Sequence, residues 1–90
     1  MADAALPTRL NLQTASQALL LLSRSLEQPG GSVVKLDAQA LESFDSSAIA
    51  VLLELRRQLL SQGKTLQVTG WPPRLRDLVA LYGVGELLPA

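Results

Sequence analysis

Val33-Val34-Lys35-Leu36-Asp37, followed after a short gap by Phe44-Asp45-Ser46-Ser47-Ala48-Ile49-Ala50-Val51-Leu52-Leu53, is the stretch from which the fold can be read. Its first part reads as a buried β-strand, apolar and β-branched around one lysine and stopped at Asp37. Ala38 to Phe44 carries mixed signals and reads as a connection. Asp45 is a strong N-cap, and the helix it opens is expected to run from Ser46 to about Gln62, with Gly63 as its stop.

Working outward, Thr65-Leu66-Gln67-Val68-Thr69 alternates as a strand does, with Leu66 and Val68 on one face. Gly70 to Pro73 forms a turn. Pro73 suits the first turn of a last helix reaching Tyr82, with Leu75, Leu78, Val79 and Tyr82 inward and Gly83 closing it. Upstream, Thr14 caps a helix expected to run to about Gln28, where Pro29-Gly30-Gly31 turns the chain. Leu19, Leu22 and Leu26 repeat in it at helical spacing. Leu6 to Leu10 reads as a short strand that Pro7 confines to an edge or a strand start, and residues 1–5 are expected to fray. The order strand, helix, strand, helix, strand, helix predicts an α/β domain with a largely parallel or mixed sheet and helices packed on it. Ninety residues make residues 1–90 a single domain in this reading.

Composition narrows the function. The chain is 48% hydrophobic, enough for a core, but its aromatics are only Phe44, Trp71 and Tyr82, so Leu, Val, Ile and Ala must fill that core. Eight basic and eight acidic residues balance to zero and form no basic stripe, which argues against a nucleic-acid partner. Cysteine and histidine are absent, which removes thiolate and imidazole chemistry and most zinc sites; no metal and no cofactor are expected. The opening Met-Ala-Asp-Ala-Ala-Leu-Pro lacks the basic and apolar regions of a signal peptide, and the apolar runs Ala18–Leu22 and Ala48–Leu53 fall short of the roughly 20 residues that span a bilayer.

The central helix carries the functional information. With Ser46 at zero and 100° per residue, Ala50, Glu54, Arg57 and Ser61 fall within about 80° of it. Ala48, Ile49, Val51, Leu52, Leu53, Leu55, Leu59 and Leu60 are expected to turn inward, with Arg56 intruding, toward the sheet and a neighbouring helix. Asp45-Ser46-Ser47 then has two readings. It is an ordinary cap, with serines tolerated at a helix start; or Ser46 is a switch, where a phosphate would add about two negative charges at the helix N-terminus and repel a partner docked there.

These residues resemble the signature of the STAS family, in which a buried strand leads to an Asp-Ser/Thr-Ser/Gly-Gly-Leu helix start. The resemblance is strongest over residues 32–88, including Arg74-Leu75-Arg76-Asp77-Leu78. It implies a STAS-like α/β fold and a non-enzymatic module that works by binding a partner. Two departures stand out: Ala48 replaces the usual glycine, and little room precedes Leu6 for the extra first strand of many members. An exposed sheet edge is therefore expected, through which the chain could pair with a second copy.

The ending Leu81-Tyr82-Gly83-Val84-Gly85-Glu86-Leu87-Leu88 is similar to MlaB-like STAS subunits of the Mla phospholipid-transport ABC system. That implies a cytoplasmic protein, peripheral to the inner membrane through its partner, which binds the ABC ATPase and supports its assembly or activity. Asp45, Ser46, Ser47, Ala50, Glu54 and Arg57 are the partner-binding residues this implies, and direct membrane insertion is not expected. The anti-anti-sigma branch of the family implies a different partner, an anti-sigma kinase that phosphorylates Ser46. An enzyme is the third class. It would need a base beside a nucleophile or a Gly-rich phosphate loop, and Asp45 serves better as a cap, while Gly30-Gly31 is too sparse to count.

Trp71 reads either as a lid on the core or as an exposed anchor for a partner. Arg74 and Arg76, poorly placed for the dipole of the last helix, read as solvated, with a partner carboxylate able to explain one of them.

Overall fold

A computed structural model describes residues 4–25 and 33–88. Five strands and three helices occur in the order β1 (Ala4–Ala5), β2 (Arg9–Leu10), α1 (Ala15–Ser25), β3 (Val33–Asp37), β4 (Ser43–Phe44), α2 (Ser47–Ser61), β5 (Thr65–Thr69) and α3 (Pro73–Leu81). The main sheet has the order β1-β3-β5, and β2 and β4 form a second pair. Every pairing is parallel. The expected α/β architecture is therefore present, with crossovers through α1 and α2 joining parallel neighbours.

The N-terminal segment differs from expectation. Leu6 to Leu10 is not one strand. Ala4 and Ala5, expected to fray, pair with Leu36 and Asp37. The Leu6 N–H still reaches Asp37 O at 2.8 Å, but Pro7 has no N–H to continue the ladder. The chain then moves across, and Thr8 O accepts the N–H groups of Glu42 and Ser43 at 2.8 and 3.0 Å. Arg9 and Leu10 pair with Ser43 and Phe44, inside the stretch expected to be mere connection. The helix expected to reach Gln28 is seen through Ser25; its end and the Pro29-Gly30-Gly31 turn lie outside the described residues.

The core is aliphatic. Leu10, Leu36, Ala48, Leu52 and Leu75 are fully enclosed, and Leu6, Ile49 and Leu55 nearly so. α1 and α2 lie side by side, with Ser23 Oγ donating to Gln58 Oε1 at 2.8 Å between them. In β3 only Val34 and Leu36 are buried; Val33 and Lys35 are exposed. The expectation of a wholly buried strand fails there because successive side chains point to opposite faces and only one face of this strand meets the core.

The ends of β3 and β5 interlock. Ala38 N–H reaches Thr69 O at 2.8 Å, and Asp37 Oδ1 accepts the Gln39 N–H at 2.9 Å. Gly70 has a φ of +66°, and a β-carbon there would lie 2.6 Å from Asp37 Oδ1. Only glycine fits both the backbone and the space.

Candidate partner-docking surface

Three residues in a row build the start of α2, each with its own task. Asp45 leaves β4 with its N–H on Leu10 O at 3.3 Å. Its Oδ1 accepts the Ser47 N–H at 2.8 Å and its Oδ2 the Leu12 N–H at 3.3 Å, while its carbonyl accepts from Ala48 at 3.0 Å. One carboxylate thus ties the loop after β2 to the first turn of α2. The Ser47 N–H, and then the Ser47 hydroxyl and the Leu12 N–H, hold this carboxyl below its ordinary pKa against the opposing effect of desolvation.

Ser46 stands at the N-cap position, one residue later than Asp45, so the helix proper starts at Ser47. Its backbone is already helical (φ −61°, ψ −16°) and its side chain makes no capping bond. Its carbonyl serves the helix, accepting from Ile49 at 3.1 Å and Ala50 at 3.3 Å. The capping task falls on Asp45, and the Ser46 residue is exposed.

Along α2 the outward stripe lies where the helical wheel places it. Ala50, Arg57 and Ser61 are exposed, and Ser47 and Glu54 are half-buried. Arg57 Nε donates to Glu54 Oε2 at 2.9 Å. This bond lowers the pKa of Glu54 and raises that of Arg57. Such a pair on a solvated helix contributes little to stability. The expectation that Leu53 and Leu60 face inward fails: Leu53 is half-buried and Leu60 exposed, because 100° steps put them only about 20° and 40° from Ser46, on its side of the helix.

The structure adds a neighbour that sequence reasoning missed. A groove of about 480 Å³ separates the α2 N-terminus from α3, with Phe44, Asp45 and Ser46 on one wall and Arg74, Leu81 and Tyr82 on the other. The Arg74 guanidinium carbon sits 5.5 Å from the centre of the Phe44 ring, a cation–π contact worth about 0.5–1 kcal/mol at an exposed site. Arg74 is thus exposed, as expected, but held against an aromatic face. Tyr82 corrects the expectation of an inward ring: it is exposed and caps the C-terminus of α3. Leu75 and Val79 of α3 are buried in the core, as is Leu88 after the helix. Trp71 takes the lid arrangement, half-buried against the core with Nε1 donating to Val68 O at 3.0 Å.

A second, more apolar groove of about 380 Å³ runs between α1 and the segment of β1 and β2, lined by Pro7, Ala18 and Leu21 among others, and it holds none of the expected contact residues. Among the described residues there is no cluster of three or more His, Cys, Asp or Glu side chains suited to a metal ion.

The sequence profile of the STAS_2 family, described as "Mlab, STAS domain", matches residues 5–89. This chain belongs to that STAS family. A solved STAS domain of a SulP transporter from Vibrio cholerae has the same fold, with a TM-score of 0.68 at 16% identity. The match covers 94% of this chain and 66% of that one, just under two thirds of its length. No curated protein matches the sequence. The expected STAS-like fold is thereby established, and the Asp45-Ser46-Ser47 helix start stands at the tip of α2 in a STAS domain. No helix among the described residues is long and apolar enough to cross a membrane.

Proposed function

We propose that this STAS domain, taken as residues 1–90, is a non-enzymatic binding subunit that docks on the ATPase of a Mla-type phospholipid-transport ABC system and supports its assembly or activity. In this role it is cytoplasmic and peripheral to the inner membrane through its partner. The observation that carries the reading is the Mlab-type family match across residues 5–89. The α2 tip is the proposed contact: Asp45 shapes it, Ser46 and Ser47 stand at it, and Ala50, Glu54 and Arg57 extend it along the helix. Its make-up suits docking. The capping bond belongs to Asp45, so the exposed Ser46 is available to a partner without loss of the helix start. Ser46 is also the proposed switch. A negative group there enters a surface that already carries the ionised Asp45, so it disfavours a partner by repulsion and by desolvation.

The test is a pull-down of the tagged chain from detergent-solubilised native cells, with partners identified by mass spectrometry and Ser46→Glu run in parallel. Recovery of an ABC ATPase with its permease, reduced in the variant, is the expected result. Recovery of a sigma-regulating kinase instead, with phosphate on Ser46, would place the chain in the anti-anti-sigma role and overturn the transporter reading.

A further inference from the structure

The two edges of the main sheet are unequal. Among the described residues the β1 edge offers Ala4 and Ala5 before Pro7 ends the ladder. β5 forms the other edge, and all five of its residues, Thr65 to Thr69, pair with β3 on one side only. The long free edge therefore lies at the opposite side of the sheet from the N-terminus.

Strand phase shows what this edge presents. In a parallel pair the N–H and C=O of one residue point to the same neighbour, and those of the next residue point away. Thr69 O accepts the Ala38 N–H that follows β3, so Thr65, Gln67 and Thr69 turn their backbone groups to β3. Leu66 and Val68 turn theirs outward. Trp71 Nε1 reaches Val68 O at 3.0 Å, in agreement with that phase. The indole packs against the core, and a carbonyl has a second lone pair, so Val68 O still accepts a bond from outside. The strand contains no charged residue and no proline, and its register with β3 has no bulge. Those are the devices that commonly keep edges apart.

The edge is also complementary to itself. Set two copies antiparallel about a two-fold axis at Gln67. Leu66 of each then faces Val68 of the other, and each pair exchanges two N–H···O bonds, about four in all. Leu66 is half-buried at this edge, and the pairing lays an apolar neighbour beside it. On the open face Gln67 meets Gln67 and Thr65 meets Thr69, all exposed in the single chain. Lys64 falls opposite Gly70, so no like charges oppose each other. A net charge of zero adds no long-range repulsion between copies.

We propose that two copies of this chain pair through β5, antiparallel and in register about Gln67, so that two three-stranded sheets become one continuous sheet. Five residues a side make a small interface, so the dimer is weak and depends on concentration. This inference is independent of the ATPase reading.

The experiment is sedimentation equilibrium of the purified chain over a range of concentrations, with Gln67→Glu, Gln67→Lys and their equimolar mixture run alongside. Circular dichroism checks each fold. Because the chain lacks cysteine, Gln67→Cys gives a second readout. Opposed residues of a non-hydrogen-bonded antiparallel pair stand about 4.5 Å apart at Cα, within disulfide reach. Ser61→Cys, exposed on α2, is the control. The wild-type chain is expected to dimerise with concentration. Each charge variant is expected to dimerise several-fold more weakly at low salt, and the mixture to recover pairing. Gln67→Cys is expected to form a linked dimer several-fold faster than Ser61→Cys. A wild-type chain that stays monomeric at every concentration, or Gln67→Cys that links no faster than the control, would overturn the proposal. A dimer that both charge variants leave unweakened would place the contact elsewhere. One that the mixture does not recover would break the register about Gln67, and either result also overturns it.

Discussion

α2 and α3 divide their apolar residues differently. α2 turns Ala48, Ile49, Val51, Leu52, Leu55 and Leu59 into the core and shows water a stripe of mostly small and charged residues, with Leu60 exposed near its end. α3 buries Leu75 and Val79, packs a half-buried Leu78 against the core, and leaves Leu81 and Tyr82 outside, beside an arginine stacked on Phe44. Both helices follow a strand of a parallel sheet, so topology does not account for the contrast. Burial on α2 explains why the domain folds. Apolar exposure is not confined to α3, since Leu20 and Leu21 of α1 are exposed as well.

The contrast breaks most visibly at the centre of α2. Leu52 is fully enclosed, and Leu52→Arg or Leu55→Arg buries a charge with no partner, a cost of several kcal/mol that a domain of this size does not survive. Such variants are expected to be insoluble or unfolded by circular dichroism; a folded, soluble product would mean that the buried face is rotated from its place here. Within α3 the comparison is sharper still. Leu75→Ala is expected to lower unfolding free energy by about 2–5 kcal/mol, while Leu81→Ala stays within about 0.5 kcal/mol. Urea unfolding of the pair measures both, and equal losses would give Leu81 a structural role.

Smaller effects concern the α2 tip. Ser46→Ala is expected to change stability by less than about 1 kcal/mol, because its side chain makes no capping bond; a larger loss in thermal melts would make Ser46 structural. The pH response is the smallest. The pKa of Asp45 is lowered in the folded chain, so its contribution is fully present above the ordinary carboxylate pKa of about 4 and is lost as pH falls through the depressed folded value. Unfolding midpoints followed from pH 5 downward are expected to decline less steeply for Asp45→Asn than for wild type. Parallel declines would show that the carboxylate is not tied to the Ser47 and Leu12 N–H groups.

Much of this was legible in the sequence because it rested on period and punctuation. The α2 stripe of Ala50, Arg57 and Ser61 follows from 100° steps, and Gly63, with a φ of +75°, stops the helix where a glycine was expected to. The parallel α/β order followed from alternation of strand and helix signals. What escaped was set by tertiary neighbours. Val33 and Lys35 are exposed because only one face of β3 meets the core. Two-residue strands such as β2 and β4 are too short to leave a pattern, and Pro7 signalled a break without saying where the chain would go next. The Arg74–Phe44 contact joins residues far apart in sequence, and no local signal marks it. Tyr82 misled because it lies near the margin of the buried arc of α3, where a wheel cannot choose between core and groove. The docking residues were reached by resemblance joined to an exposed stripe, and the α3 half of the groove became visible only once Phe44 and Arg74 were placed together.

The most direct measurement is hydrogen exchange of the backbone amides in the chain, alone and with the purified ATPase subunit. Docking at the α2 tip predicts added protection around Phe44–Ala50, with the β5 edge at Thr65–Thr69 unchanged. Protection confined to β5 or to α1, with Phe44–Ala50 unaltered, would contradict it.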